Sequence, residues 1–440
     1  MTAQIQADTI VDARWLIPVE PAGLVLEHHS VAISGTDIVA LGPSAEIHGR
    51  CSAPRVVRLE DHVLIPGLVN LHTHAAMTLL RGLADDRPLM DWLRNYIWPV
   101  ETRLVSSEFV HDGTLLACAE MLRGGITCFG DMYFFPEAAA QAALRAGMRA
   151  AIGIIVIEMS SPYAGDAHDY LAKGLAMRDA LRDEPLLSFC LAPHAPYTVS
   201  DPTFERIATY AAELDLPVHV HLHETQGEIR ESLAAHHARP LARLQHLGLL
   251  GPGLIAVHGV HLEPREIELL ARHGCSVAHC PASNLKLASG IAPVAQMLSS
   301  GVNVGLGTDG AASNNRLDLL SEMRLAALLA KGTGADSTLL PAHAVIHMAT
   351  LAGARALGLE AKVGSLVPGK RADMTAVNLG AMELAPCYDP ASHLVYAAGR
   401  EHVSHVWVDG QLRVDEGKLI GLDTQELRRK AAHWKERIRA

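Results

Sequence analysis

Aromatic residues are scarce in this chain, at 4%, so a core must be filled mainly by Ala, Leu, Val and Ile. Basic charge is not in excess either. Thirty-seven Lys plus Arg stand against 48 Asp plus Glu, a formal charge of −11. That balance argues against a nucleic-acid binder, which carries a basic face, and it favours no membrane surface. No apolar stretch reaches the roughly 18 residues of a membrane span. The opening "MTAQIQADTIVDARWLIPVE" lacks the cationic start and apolar block of a secretory leader, so none is expected. The seven cysteines are odd in number and irregularly spaced, with no Cys-x-x-Cys pair. Free thiols in a reducing compartment, the cytoplasm, are the expectation.

What is present is a globular composition, 49% hydrophobic over 440 residues, and 25 histidines. Residues 1–62 read as short strands rich in Val and Ile, punctuated by Gly, Pro and Asp. From residue 63 the texture changes to short apolar runs alternating with helical patterns. The runs are 63–68, 127–130, 151–157, 186–191, 217–221, 254–258, 276–279 and 303–307. Between them lie amphipathic stretches such as "SEFVHDGTLLACAEMLRGG" and "EPREIELLARHG". Eight buried strands alternating with helices predict a parallel (β/α)8 barrel over 63–362. The rival, a doubly wound open sheet, lacks a Gly-x-Gly-x-x-Gly at a first strand-to-helix turn. Strand texture returns in 363–440, before a closing helix "TQELRRKAAHWKERIRA". The two strand-rich ends are expected to pack together as one small β-sandwich.

Active groups in such a barrel stand at the carboxyl ends of the strands. Here those ends read "NLHTH", "LAPHAP", "HVHLHET", "AVHGVH", "VAHCPASN" and "GLGTDG". Histidines on five rims and Asp309 on a sixth are hard to ascribe to packing. They read as a divalent metal site of three imidazoles and one carboxylate. In extended chain, residues two apart project to one side, so His72 and His74 can reach one ion. Alone, His-x-His is equally a loop pair, and Asp309 before Gly310 reads first as an N-cap or turn residue. His219, His221 and His223 share one parity, so alternation does not choose among them. His221-x-x-Glu224 sets a carboxylate near the ion, where an acid/base is wanted.

The motifs "PGLVNLHTH", "HLHET", "AVHGVHL", "HCPASNLKLASG", "GTDGAASNN" and "GSLVPGKRADM" together resemble the amidohydrolase superfamily, in its mononuclear-metal deaminase branch. The resemblance spans nearly the whole chain. It implies a distorted barrel with a β-sandwich made from both ends. It also implies His72, His74, His221 and Asp309 as ligands of one divalent ion per subunit. Zinc is the first choice, although iron and manganese accept the same donors. Glu224 becomes the proton shuttle, and His258 and Asp309 the other catalytic residues beside the attacking water. His261 and His279 are assigned to structure. Dinuclear relatives carry a bridging lysine around the fourth strand, where this chain reads "LAPHAPYT".

The stretch "MTLLRGLADDRPLMDWLRNYIWPVE" resembles that of 5'-methylthioadenosine/S-adenosylhomocysteine deaminases. By that resemblance Glu101 holds ribose hydroxyls, and a carboxylate can accept from two adjacent hydroxyls. His194 is a further substrate contact, beside Glu224 and Asp309. Trp92, Trp98 and Met77 are candidates for an apolar wall, and equally for ordinary core. Arg81, Arg87 and Arg178 are candidates for an amino-acid tail. The implied activity is hydrolytic deamination of an adenine nucleoside, with ammonia released and no nucleic-acid or membrane partner. The enzyme is expected to be a homo-oligomer. Rivals are a guanine- or pyrimidine-type deaminase, a triazine-type hydrolase, and a non-catalytic scaffold of the same fold. Filled ligand positions disfavour the scaffold, Glu224 disfavours dehalogenation, and Glu101 disfavours a bare base.

Overall fold

The computed structural model describes residues 4–439; the outermost residues of the two expected terminal segments, 1–3 and 440, lie outside them. Eight parallel strands follow one another around a barrel in chain order. They are Leu68–Thr73, Ile126–Asp131, Arg149–Val156, Leu187–Pro193, Val218–Leu222, Leu254–His258, Ser276–His279 and Asn303–Leu306. Seven of the expected runs match these bounds to within two residues.

The first run does not. Residues 63–66 finish a long strand, Arg55–Pro66, that pairs antiparallel with Met374–Asn378 in the sheet of the chain ends. The first barrel strand begins only at Leu68. Gly67 makes the junction, and a Cβ there would lie 2.1 Å from Thr127 Oγ1. Only glycine lets the chain pass so close. One unbroken apolar run therefore serves two sheets, and the sheet of the chain ends extends past residue 62.

That sheet has eight strands and joins both ends of the chain. Arg55–Pro66 is its hinge, bonded to Thr9–Leu16 on one side and to Met374–Asn378 on the other. Val11, Ile33, Leu64, Met374 and Trp407 meet in one core, so strands from both ends close over shared apolar side chains. The buried Arg149 guanidinium ties the barrel to this sheet. It donates to both Asp373 oxygens at 3.0 and 3.1 Å and to Asp409 at 2.8 Å. Bidentate geometry and the neighbouring carboxylates offset the cost of burying the charge.

The expected amphipathic stretches are helices, including Ser107–Arg123, Asp201–Leu214, Pro264–His273 and Leu319–Gly334. The closing helix, Thr424–Arg439, docks on Ser107–Arg123. Its buried Trp434 donates to Asp112 at 3.1 Å and packs edge-on against Phe109. All seven cysteines are free.

The seam between the first and eighth strands sets up the site. No ladder joins them. Instead the buried Asn70 amide donates to Thr308 Oγ1 at 2.7 Å and accepts from the Thr308 N–H at 2.9 Å. One residue on, the Asp309 N–H donates to the His72 carbonyl at 3.0 Å. Gly307 permits this approach, since a Cβ there would sit 3.0 Å from His72 Cβ.

Candidate active site

The seam brings Asp309 to the first strand's histidines. Asp309 Oδ1 lies 3.4 Å from His72 Nε2 and 3.3 Å from His74 Nε2. Donor atoms of His72, His74 and Asp309 all lie within 4.8 Å of one another. The same holds for His72, His221 and His258, so His72 belongs to both groups. His74 and His221 stack with ring centroids 5.3 Å apart.

The far nitrogen of each ring is already engaged. His74 Nδ1 donates to the Met132 carbonyl at 2.5 Å and His221 Nδ1 to the His194 carbonyl at 2.7 Å. His258 Nδ1 meets Asn284 Oδ1 at 2.8 Å, and His72 Nδ1 meets His219 Nε2 at 3.1 Å. An Nδ1 proton given to an oxygen leaves Nε2 as a free lone pair. His72 Nε2 is buried with no hydrogen-bond partner. Buried polar atoms are ordinarily satisfied, so an orphan among converging donors fits a cation.

The charge states agree. Burial pushes the His72 imidazole down to about 4, and it holds His221 well below the usual histidine range. Neutral imidazoles are the ligating form. Burial alone would raise Asp309. The His72 and His74 imidazoles facing Oδ1 instead hold its carboxyl well below the usual range. Its Oδ2 accepts from the Ser283 and Ser313 hydroxyls at 2.6 and 2.7 Å.

The three strand-five histidines differ in their contacts. His219 sits under the cluster against His72, whereas His223 faces outward and accepts from the Leu241 N–H at 3.1 Å. His261 and His279 stay outside both donor groups. His261 bonds to the Ser289 carbonyl, and His279 is buried.

A cavity of about 670 Å³ opens beside the cluster. Glu224, Glu101 and His194 line it, as do His74, His221, His258 and Asp309. Glu224 Oε2 lies 3.9 Å from His258 Nε2, and burial raises its carboxyl. Glu101 is 8% exposed and accepts from the Tyr133 hydroxyl at 2.6 Å. Burial lifts it to about 7, against the lowering effect of that bond. His194 bonds to Thr198 Oγ1 at 3.0 Å. Trp92, Trp98 and Met77 supply apolar wall. The three arginines considered for an amino-acid tail are elsewhere. Arg81 binds Glu120, Arg87 faces Asp91 and Tyr96, and Arg178 binds Asp179.

Several supporting residues had no role in the sequence reading. Ser283 and Asn284 lie in "HCPASN" and Ser313 in "GTDGAASNN", motifs noticed there without functions for these side chains. Tyr133 gave no signal. Glu228 follows Glu224 by four residues, and its carboxylate accepts from the His223 and Glu224 N–H groups at 3.0 and 2.8 Å.

A family model described as the amidohydrolase family matches residues 63–413. The whole chain is 46% identical to a 5-methylthioadenosine/S-adenosylhomocysteine deaminase of Saccharophagus degradans, of which it covers 99%. It is 48% identical to an adenosine deaminase from Xanthomonas campestris whose crystal structure contains zinc. Those two structures agree with a TM-score of 0.98 over 99% of each chain. An atrazine chlorohydrolase of Arthrobacter aurescens, 24% identical, shares the fold with a TM-score of 0.90 over 97% of this chain and all of that one. With a barrel of this topology and a family match over most of its length, the chain belongs to the amidohydrolase family.

Proposed function

We propose that the protein is a metal-dependent aminohydrolase of adenine nucleosides, with 5'-methylthioadenosine and S-adenosylhomocysteine as the substrate class. The observation that carries this reading is one cavity lined by both Glu224, beside the donor cluster, and the buried Glu101–Tyr133 pair. His72, His74, His221 and Asp309 would hold one divalent ion, zinc by analogy with the relative from Xanthomonas campestris. When bound, such an ion supplies Lewis acidity that lowers the pKa of a ligated water from 15.7 toward about 7.

The chain's own groups handle the protons. Glu224, whose carboxyl burial raises, is placed to carry a proton to the ring nitrogen beside the amidine carbon. That protonation makes the carbon more electrophilic. Asp309, with Oδ2 fixed by two serines and Oδ1 held by the Gly310 N–H toward His72 and His74, is placed to receive the proton of the attacking water. His258 stands between Glu224 and the cluster, where its Nε2 orients that water. Ammonia leaves as the tetrahedral carbon collapses. Glu101 accepts from the two ribosyl hydroxyls, and the tryptophans and Met77 pack on the base or thioether. Seven free thiols suit a reducing compartment and support a cytoplasmic enzyme.

The test is ammonia release by metal-loaded protein offered methylthioadenosine, S-adenosylhomocysteine, adenosine, guanine and cytosine. Turnover of the adenine nucleosides is expected. Activity confined to the free bases would overturn the reading.

A further inference from the structure

The cavity has a one-sided charge pattern. Among the described residues that line it, none is lysine or arginine. Its carboxyl groups are Glu101, Glu224 and Asp309, and its imidazoles are those of His74, His194, His221 and His258. The remaining wall is largely apolar, with Leu89, Leu93, Phe134, Ile157 and Met159 among its side chains.

Most cations close to this wall in sequence are committed elsewhere, and Arg94, next to the lining Leu93, is exposed. Lys286, beside the lining Leu287, donates to Asp85 at 2.7 Å and to the Ala312 carbonyl at 3.0 Å. Lys173 donates to the Tyr163 carbonyl and to Asp169, both at 2.8 Å. Arg87 lies over the Tyr96 ring and 3.8 Å from Asp91. A second cavity shares Met159, Tyr197 and Thr198 with the first; Glu158, Asp201, Glu228 and Glu231 line it together with Arg243, whose guanidinium is held by Asp201 at 2.5 Å and the Val199 carbonyl at 2.9 Å.

A 5' substituent leaving a ribose held at Glu101 therefore meets apolar side chains and then carboxylates. A thioether methyl suits that path. The zwitterionic tail of S-adenosylhomocysteine would desolvate a carboxylate that gains no free cation and approaches fixed negative charge, even where its ammonium finds an acidic partner. We propose that this cavity selects adenine nucleosides with an uncharged 5' thioether and discriminates against the amino-acid tail of S-adenosylhomocysteine. The inference rests on the deaminase reading above and narrows its substrate class. A site that leaves a buried charge unpaired rejects its carrier far more strongly than one that merely lacks a methylene.

The experiment measures kcat/KM of the metal-loaded full chain on three adenine nucleosides. They are methylthioadenosine, 5'-butylthioadenosine (an uncharged tail of similar length) and S-adenosylhomocysteine. Methylthio and butylthio compounds are expected within about tenfold of each other, with S-adenosylhomocysteine lower by on the order of 100-fold. Turnover of S-adenosylhomocysteine within tenfold of methylthioadenosine would overturn the proposal. So would an equal loss for the butylthio compound, because length rather than charge would then decide. Failure on all three, with activity on a free base, is a different result: it removes the deaminase reading itself.

Discussion

Replacing Tyr133 by Phe tests whether Glu101 is a tuned acceptor for substrate hydroxyls. The phenol donates to Glu101 Oε1 at 2.6 Å, and burial has already lifted that carboxyl to about 7. A hydrogen bond to a charged acceptor contributes about 1.5–3 kcal/mol. One pKa unit is about 1.4 kcal/mol, so losing the donor raises Glu101 by roughly 1–2 units. Only the ionised carboxylate accepts from both hydroxyls. At pH 7 its population would fall from about one half to between about 0.1 and 0.01, raising KM roughly 5- to 50-fold. The assay is the pH dependence of KM for methylthioadenosine in wild type and Y133F. In both, KM should fall as pH rises through the Glu101 midpoint, and the Y133F midpoint should lie higher. A 2',3'-dideoxy substrate, lacking both hydroxyls, should show no such displacement. A midpoint unmoved, or moved downward, would refute the assignment. The same shift has a stability consequence. Between the ordinary 4.5 and about 7, the folded chain keeps a proton that the unfolded chain has released. Stability therefore falls by about 3 kcal/mol as pH rises through that window.

Glu224→Gln should lower kcat by about 10²–10⁴ while metal content stays unchanged; full activity in the loaded variant would dismiss the proton-shuttle role. Glu228→Ala removes the acceptor from two N–H groups at the end of the fifth strand, at about 1–3 kcal/mol for each group left unpaired. It should cut kcat more than it raises KM, with Glu228→Gln falling between; urea unfolding and steady-state kinetics read both effects, and wild-type values in both would refute the positioning. Asn70→Ala opens the barrel seam and strands the Thr308 N–H, so a loss of about 1–3 kcal/mol is expected in urea unfolding. An unchanged unfolding midpoint would mean that the seam is held by other contacts.

The barrel was legible because its strands are buried and short, and because polar residues at their ends break otherwise apolar runs. "AVHG" and "VAHC" mark strand ends to the residue, as Leu254–His258 and Ser276–His279 show. The run from Val63 to Leu68 misled for the same reason. Burial on both sides of Gly67 erases the contrast that would separate a sheet strand from a barrel strand. The choice among His219, His221 and His223 was closed to parity, since all three alternate alike. Depth separates them, with His219 beneath His72 and His223 turned outward by its left-handed backbone, φ 56°. Tyr133 lies 32 residues from Glu101, and no periodicity links the two. The arginines considered for a tail bind partners, Glu120 and Asp91 among them, that come close only in three dimensions or along a helix face.

The groups that hold the site still were the least legible, and they share one physical logic. His223, His258 and Asp309 all have positive φ, at 56°, 73° and 61°, at the ends of the fifth, sixth and eighth strands. Non-glycine residues in that region cost about 1–2 kcal/mol each and persist only where the surroundings fix them. Leaving the ladder also frees backbone N–H groups in a buried place, where each needs an acceptor. Buried carboxyl groups meet that need. Asp131 accepts from the Ala75 N–H at 2.7 Å, next to His74. Glu228 takes the His223 and Glu224 N–H groups. Glu322 takes the Ala282 N–H at 3.0 Å, beside Ser283, and the Asn314 amide at 2.8 Å, beside Ser313. Burial raises all three, to about 6, 7 and 8. Charge is therefore costly at these positions, and their hydrogen bonds to the chain offset it only in part. Each accepts from a turn that carries His74, Glu224 or the serines of Asp309, so the rim groups are held by acids that lie outside both donor groups.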